Sequence, residues 1–68
     1  MKHYYVNKIK QSNGDHEVHE LSCIYLPSVE NREYLGLFND CKEAVKKAKE
    51  KYTQSNGCYF CSNSCHKS

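Results

Sequence analysis

The segment 3–10, which is rich in tyrosine and β-branched residues, and the segment 16–24 flank the dipeptide Asn13-Gly14. Asn-Gly between such segments is a strong signal for a β-hairpin. A two-residue loop there predicts four cross-strand pairs: Lys10 with Glu17, Ile9 with Val18, Val6 with Leu21 and Tyr4 with Cys23. A helix over 15–25 is the rival interpretation, because Val18, Leu21 and Tyr25 have roughly helical spacing.

A third strand and one helix follow. Pro27 marks a loop, after which residues 33–38 form a short apolar strand in which Gly36 indicates a bulge or a close backbone approach. Asp40 and Glu43 have the spacing of a capping box and begin the helix. Its apolar stripe consists of Cys41, Ala44, Val45, Ala48 and Tyr52.

The predicted fold is α+β. A three-stranded antiparallel meander, about residues 3–10, 16–24 and 33–38, carries one helix, about residues 40–52, on one face, and a cysteine-rich C-terminal tail closes the domain. Residues 1–68 form a single small domain. A core of this size contributes only about 3–5 kcal/mol to the free energy of unfolding, so such domains are commonly stabilised further by a metal, a disulfide or a partner chain.

Composition and charge exclude few classes of function. The formal net charge is +2, too small to indicate a nucleic-acid-binding protein by charge alone. No segment has the pattern of a signal peptide or a membrane span, so we expect a cytoplasmic protein without membrane partners. Because thiols stay reduced in the cytoplasm, its five cysteines indicate metal binding or buried packing before disulfides.

The spacing Cys58-x-x-Cys61 is typical of a chelating pair, since a two-residue spacer lets two thiolates turn toward one tetrahedral ion. The predicted ligand set for a structural zinc ion is Cys23, Cys58, Cys61 and Cys65, with His66 as the substitute for Cys65.

The upstream histidines fit a zinc site less well. In a continuous strand His19 would lie about 13 Å from Cys23, whereas donors on one zinc ion are about 4 Å apart. His16 and His19 would point to opposite faces of that strand.

Other interpretations of the cysteines remain open. Free cysteine is often simply a small buried residue, so packing competes evenly with zinc, and disulfides or iron–sulfur ligation rank behind both. Thiol redox chemistry needs a Cys-x-x-Cys pair at the start of a helix, whereas Cys58 and Cys61 follow the predicted helix. We therefore expect no enzyme, no catalytic residues and no cofactor other than zinc.

Binding functions complete the alternatives. Six tyrosines and two phenylalanines can form a stacking surface for single-stranded nucleic acid, with lysines contacting phosphates. An exposed edge strand can bind a protein partner instead. The sequence favours a noncatalytic binding or interaction module stabilised by structural zinc. A nucleic-acid-binding module is the first alternative and a thiol redox protein the second.

Five motifs together resemble a family of short bacterial proteins to which no activity is assigned. They are His16-Glu17-Val18-His19, Cys23-x-x-Leu26-Pro27, Tyr34-Leu35-Gly36-x-Phe38, Cys41-x-x-Ala44-Val45-x-x-Ala48-Lys49 and Gly57-Cys58-x-x-Cys61-x-x-x-Cys65-His66. The resemblance covers nearly the whole chain and implies one compact bacterial domain. It implies nothing about chemistry.

Overall fold

The protein combines one helix with a four-stranded mixed sheet and a cysteine-rich tail; the structure is a computed structural model that describes residues 1–67. Its elements are β1 (Lys2–Asn7), β2 (His16–Glu20), β3 (Arg32–Phe38), α1 (Cys41–Ala48) and β4 (Ser55–Gly57). The predicted α+β class is confirmed, but the predicted three-stranded antiparallel meander is wrong. Within residues 1–67, no helix is long and apolar enough to cross a membrane.

The sheet order is β3-β1-β2-β4. Strand β1 lies in the centre and pairs antiparallel with both β2 and β3, while β4 runs parallel to β2. The sheet is not a meander because residues 21–31 carry the chain past β1 to its other edge. The sequence does not predict the fourth strand, because Ser55-Asn56-Gly57 contains no β-branched or aromatic residue and is typical of a turn.

The first two strands form the predicted antiparallel pair, but their predicted register is wrong. Val6 lies opposite Val18 rather than Leu21. The strands separate earlier than a two-residue loop requires, since β1 ends at Asn7 and Gln11 binds Asp15 and Gly14 through backbone hydrogen bonds of 2.8 Å. The observed register buries Val18 completely and leaves Leu21 47% exposed.

The bulge predicted at Gly36 is confirmed. Tyr4 of β1 lies opposite Gly36 and Tyr5 lies opposite Tyr34, so Leu35 is an extra residue in β3. Gly36 has a φ of +128°, a backbone conformation that favours glycine.

Helix α1 begins as predicted and ends four residues early. The Asp40 carboxylate accepts a hydrogen bond of 3.1 Å from the backbone N–H of Glu43, which caps the first turn. After Ala48 the chain tightens, since the N–H of Glu50 donates to Lys47 and that of Lys51 donates to Ala48. Tyr52 still reaches the core as a partly buried residue.

The core lies between α1 and one face of the sheet. Its buried members are Tyr4, Val6 and Val18 from the sheet and Cys41, Ala44 and Ala48 from the helix. Because side chains alternate along a strand, the neighbours of these sheet residues point to the opposite, helix-free face. Tyr5 and His19, which are paired across β1 and β2, lie on that face.

Candidate metal centre

Four potential metal ligands converge beside the end of β2. The donor atoms of His19, Cys23, Cys58 and Cys61 all lie within 4.8 Å of one another. The Sγ atoms of Cys23 and Cys58 are 3.9 Å apart, and Cys61 Sγ lies 4.0 Å from His19 Nδ1. Donors on a tetrahedral zinc ion with bonds of 2.0–2.3 Å are separated by about 3.3–3.8 Å, so the four atoms nearly form such a tetrahedron.

His19 is placed by strand alternation. Its neighbour Val18 points into the core under the helix, so His19 points to the helix-free face, where it is only 1% exposed. A fully buried imidazole needs polar partners, and the cysteine sulfurs together with Glu17 surround it. The strand therefore supplies a rigid ligand.

Cys23 reaches the cluster because β2 ends at Glu20. The N–H of Cys23 donates to the Glu20 carbonyl at 3.1 Å, which closes a turn and reverses the chain. After the turn, the N–H of Tyr25 donates to Cys23 Sγ at 3.4 Å. This loop therefore supplies both a sulfur and a hydrogen bond to that sulfur.

Cys58 and Cys61 lie in the turns that follow β4. The N–H of Cys58 donates to the Val18 carbonyl at 2.9 Å, which holds the tail beside β2 beyond the end of β4. The N–H of Phe60 donates to Cys58 Sγ at 3.4 Å, and the N–H of Glu20 donates to Cys61 Sγ at 3.3 Å. All three cysteine sulfurs of the cluster thus accept a backbone hydrogen bond, which favours the thiolate form.

Burial of the cluster disfavours the negatively charged thiolate form of its cysteines. Desolvation raises the pKa of Cys58 and of Cys61, although the backbone hydrogen bonds partly oppose the increase. Desolvation also lowers the pKa of His19, which keeps its imidazole neutral and able to bind a metal at neutral pH. A cation among these groups would offset the cost of buried thiolates.

The orientation of His19 also suits ligation. Its Nδ1 faces Cys61, while the Glu17 carboxylate lies 3.6 Å from Nε2 on the far side of the ring. Ligation through Nδ1 leaves the proton on Nε2, next to that carboxylate. Metal-binding histidines commonly have a carboxylate in this position, where it orients the ring and increases its basicity.

The structure brings together three of the four predicted ligands. Cys23, Cys58 and Cys61 meet, but His19 stands where Cys65 was expected. Cys65 instead forms a disulfide with Cys41, with 6.1 Å between their Cα atoms. His66 lies 2.9 Å from the Gly57 carbonyl through Nδ1 and is not in the cluster.

Two assumptions explain this difference. His19 fits a zinc site poorly only if residues 16–24 form one continuous strand, and Cys65 is available as a ligand only if it forms no disulfide. The end of β2 at Glu20 has no local signal in the sequence, since no glycine or proline follows it before Cys23.

The donor set is suited to one tetrahedral ion. Three sulfurs and one imidazole match zinc chemistry, and four protein ligands leave no open position for a substrate. The arrangement therefore fits a structural rather than a catalytic metal. Comparison of the chain with models of protein families, with curated proteins and with solved structures gives no match.

Proposed function

We propose that this chain is a noncatalytic binding or interaction module whose fold is closed by a structural zinc ion. The ligands are His19 and Cys23 from the hairpin side and Cys58 and Cys61 from the tail. The observation that carries the proposal is the approach of all four donor atoms to within 4.8 Å of one another.

The position of the cluster supports a structural role. Only three residues of β4 pair with β2, so the tail has little regular structure to hold it. An ion shared by the two sides would join residues 58–61 to residues 19–23 across about 40 positions of sequence. Apparent zinc affinities of small domains reach about 10–16 kcal/mol, which exceeds what a core of this size supplies alone.

The thiol redox alternative has less support. A reactive Cys-x-x-Cys pair needs a lowered thiol pKa, whereas burial raises the pKa of both Cys58 and Cys61. The pair also follows β4 in a series of turns and does not begin a helix. The cytoplasmic location and the resemblance to short bacterial proteins remain predictions.

The test is metal analysis of the full chain purified without chelator. We expect one equivalent of zinc, and we expect cobalt to replace it with the intense visible absorption of tetrahedral thiolate ligation. Chelation should broaden or collapse the amide spectrum. A metal-free protein that takes up no cobalt and keeps the same spectrum in chelator would show that the cysteines are simply buried thiols.

One observation favours a second candidate function, binding of single-stranded nucleic acid. On the helix-free face, the Tyr5 and Tyr34 rings lie 5.2 Å apart, and the Arg32 guanidinium lies 4.8 Å above Tyr5. Aromatic rings and guanidinium groups on a sheet face can stack with unpaired bases.

This second candidate is tested with a labelled oligothymidylate at low salt. Tyr34→Ala should weaken binding, since base stacking contributes about 1–3 kcal/mol per base. Tyr59→Ala is the matched control, because Tyr59 is similarly exposed, 57% against 51%, but lies in the tail. Absence of binding at low salt, or equal loss in both variants, would exclude the sheet face as the binding surface.

A further inference from the structure

A lysine-rich groove lies between α1 and the C-terminal tail, away from the metal cluster. Its volume is about 310 Å³. Four lysines line it together with Ser64 and the apolar Val45: Lys42, Lys46, Lys49 and Lys67. This volume is at the lower end of the range for small-molecule sites.

Helical spacing brings three of these lysines to one wall. Lys42, Lys46 and Lys49 follow one another at intervals of four and three residues, so they share one face of α1. Val45 lies between them and packs against the core, which forms the apolar floor of the groove.

The opposite wall is fixed by the buried residue Asn56. Its side-chain amide donates to the Lys67 carbonyl at 2.7 Å and its amide oxygen accepts from the Lys67 N–H at 2.9 Å. This pair of bonds holds the tail in place beside β4. The main chain of Lys67, the fourth lysine, is therefore fixed by the side chain of Asn56.

The charge in the groove is unbalanced. Within the described part of the chain, residues 1–67, no acidic residue lines it. Lysines elsewhere on the same segment have partners, since Lys47 pairs with Glu50 and Lys51 with Glu33. Among residues 1–67, by contrast, no salt bridge involves any of the four groove lysines. Like charges spaced in this way along a helix repel each other, so an anion in the groove would relieve the repulsion.

We propose that this groove binds a small anion that carries several phosphate charges on adjacent groups. Four lysines lining so small a volume match a compact chain of phosphates, because each lysine carries a point charge with three donors. A long polymer, which spreads its charges along its length, would place only a few of them here.

The inference does not depend on the metal. The groove is built by α1, β4 and the end of the tail, and none of the four cluster residues lines it. Failure of zinc binding would therefore leave the anion site testable, and failure of anion binding would leave the metal site intact.

The experiment is an amide-resolved titration of the full chain with inorganic triphosphate. We expect saturable shifts of residues in 42–49 and 64–67, and weaker binding as salt increases. Lys42→Gln/Lys49→Gln should reduce the affinity at least about tenfold. The control, Lys10→Gln/Lys47→Gln, loses the same two charges outside the groove and should keep the affinity within about twofold.

Two further ligands distinguish the source of the phosphate groups. ATP should bind at the same place, and a higher affinity than that of triphosphate would assign the site to nucleotides rather than free oligophosphate. If an oligothymidylate at equal phosphate concentration shifts the same amides more strongly, the groove is a nucleic-acid site and the small-anion proposal is wrong. Unsaturable shifts, or equal loss of affinity in both double variants, would overturn the proposal.

Discussion

His19 and Cys23 are joined by a tight reversal of the chain that brings their donor atoms to within 4.8 Å of each other. The turn is closed by the hydrogen bond from the N–H of Cys23 to the Glu20 carbonyl. The same residue, Glu20, donates its N–H to Cys61. The backbone of Glu20, the last residue of β2, therefore positions the ligand Cys23 through its carbonyl and stabilises the ligand Cys61 through its N–H.

Loss of His19 should release the metal, whereas loss of His66 should not. His19→Ala removes a buried donor, and because even outer-sphere partners contribute 10–100-fold in affinity, we expect zinc affinity to fall by more than about 100-fold. His19→Cys should restore tetrahedral binding and so separate ligand loss from general unfolding. His66→Ala is the control, measured by the same chelator competition. A greater loss of affinity in His66→Ala would identify His66 as the ligand, as the sequence alone allowed.

Capping and helical spacing predict the helix, the Asn-Gly dipeptide predicts the antiparallel pairing of β1 with β2, and a glycine within an apolar strand indicates the irregularity at Gly36. These signals are local in sequence, as Asp40 and Glu43 are, although the partner strand at the bulge is the distant β1. The position of β3 beside β1 and the parallel pairing of β4 depend instead on contacts between distant segments. In β4 the sequence Ser55-Asn56-Gly57 has little strand propensity. Its position is stabilised by side-chain hydrogen bonds from Gln54 to Asp15 and from Ser55 to the Tyr52 carbonyl.

The candidate site shows the same division. Cys58 and Cys61 were identified by their spacing, and Cys23 was identified as the only upstream cysteine outside the helix. To predict His19 rather than Cys65 as the fourth ligand, one must know where β2 ends and which thiol faces Cys41. Neither follows from local spacing, because a shift of a few residues in register or strand length redirects every side chain that follows.

The Cys41–Cys65 disulfide should stabilise the fold without contributing to metal binding. It closes a loop with a sequence separation of 24, for which chain entropy predicts about 3–4 kcal/mol. Denaturant unfolding of Cys41→Ser/Cys65→Ser, without reductant, should show that loss while the zinc content is unchanged. In reductant the difference should largely disappear. Zinc loss in Cys65→Ser alone would instead support the predicted role of Cys65 as a ligand.

Gly57 should tolerate no side chain. A Cβ atom there would lie 2.7 Å from both the Ser62 carbonyl oxygen and the Cys65 Cβ, so the tail would have to move. We expect Gly57→Ala to reduce the free energy of unfolding by about 1–3 kcal/mol and to weaken zinc binding, because the displaced tail carries Cys58 and Cys61. Gly14→Ala is the comparison, because its φ of +94° also makes a side chain costly but the turn before β2 contains no metal ligand, so it should lose stability without losing zinc affinity. An equal loss of zinc affinity in both variants would contradict this account.

The cap at Asp40 should contribute a small, separable amount of stability. Asp40→Ala removes the acceptor for the Glu43 N–H and should cost about 1 kcal/mol of unfolding free energy. Asp40→Asn keeps an acceptor oxygen at the same position and should cost much less. Thermal unfolding of the two variants makes the comparison, and an equal loss in both would assign the effect to charge rather than to the cap.

Metal binding should release at least two protons near neutral pH, from the buried thiols of Cys58 and Cys61, and none from His19. Burial raises the pKa of Cys58 and of Cys61, so their protons must be displaced and affinity should rise as pH increases. Burial lowers the pKa of His19, so its proton competes with the metal only at more acidic pH, where affinity should fall more steeply.

Calorimetry in buffers of different ionisation enthalpy measures this proton count directly. His19→Cys provides the matched comparison, because replacing a neutral imidazole with a fourth thiol should increase the count by about one. A wild-type count close to four at neutral pH would mean that His19 is protonated before binding. A count below two would mean that Cys58 or Cys61 is not a ligand.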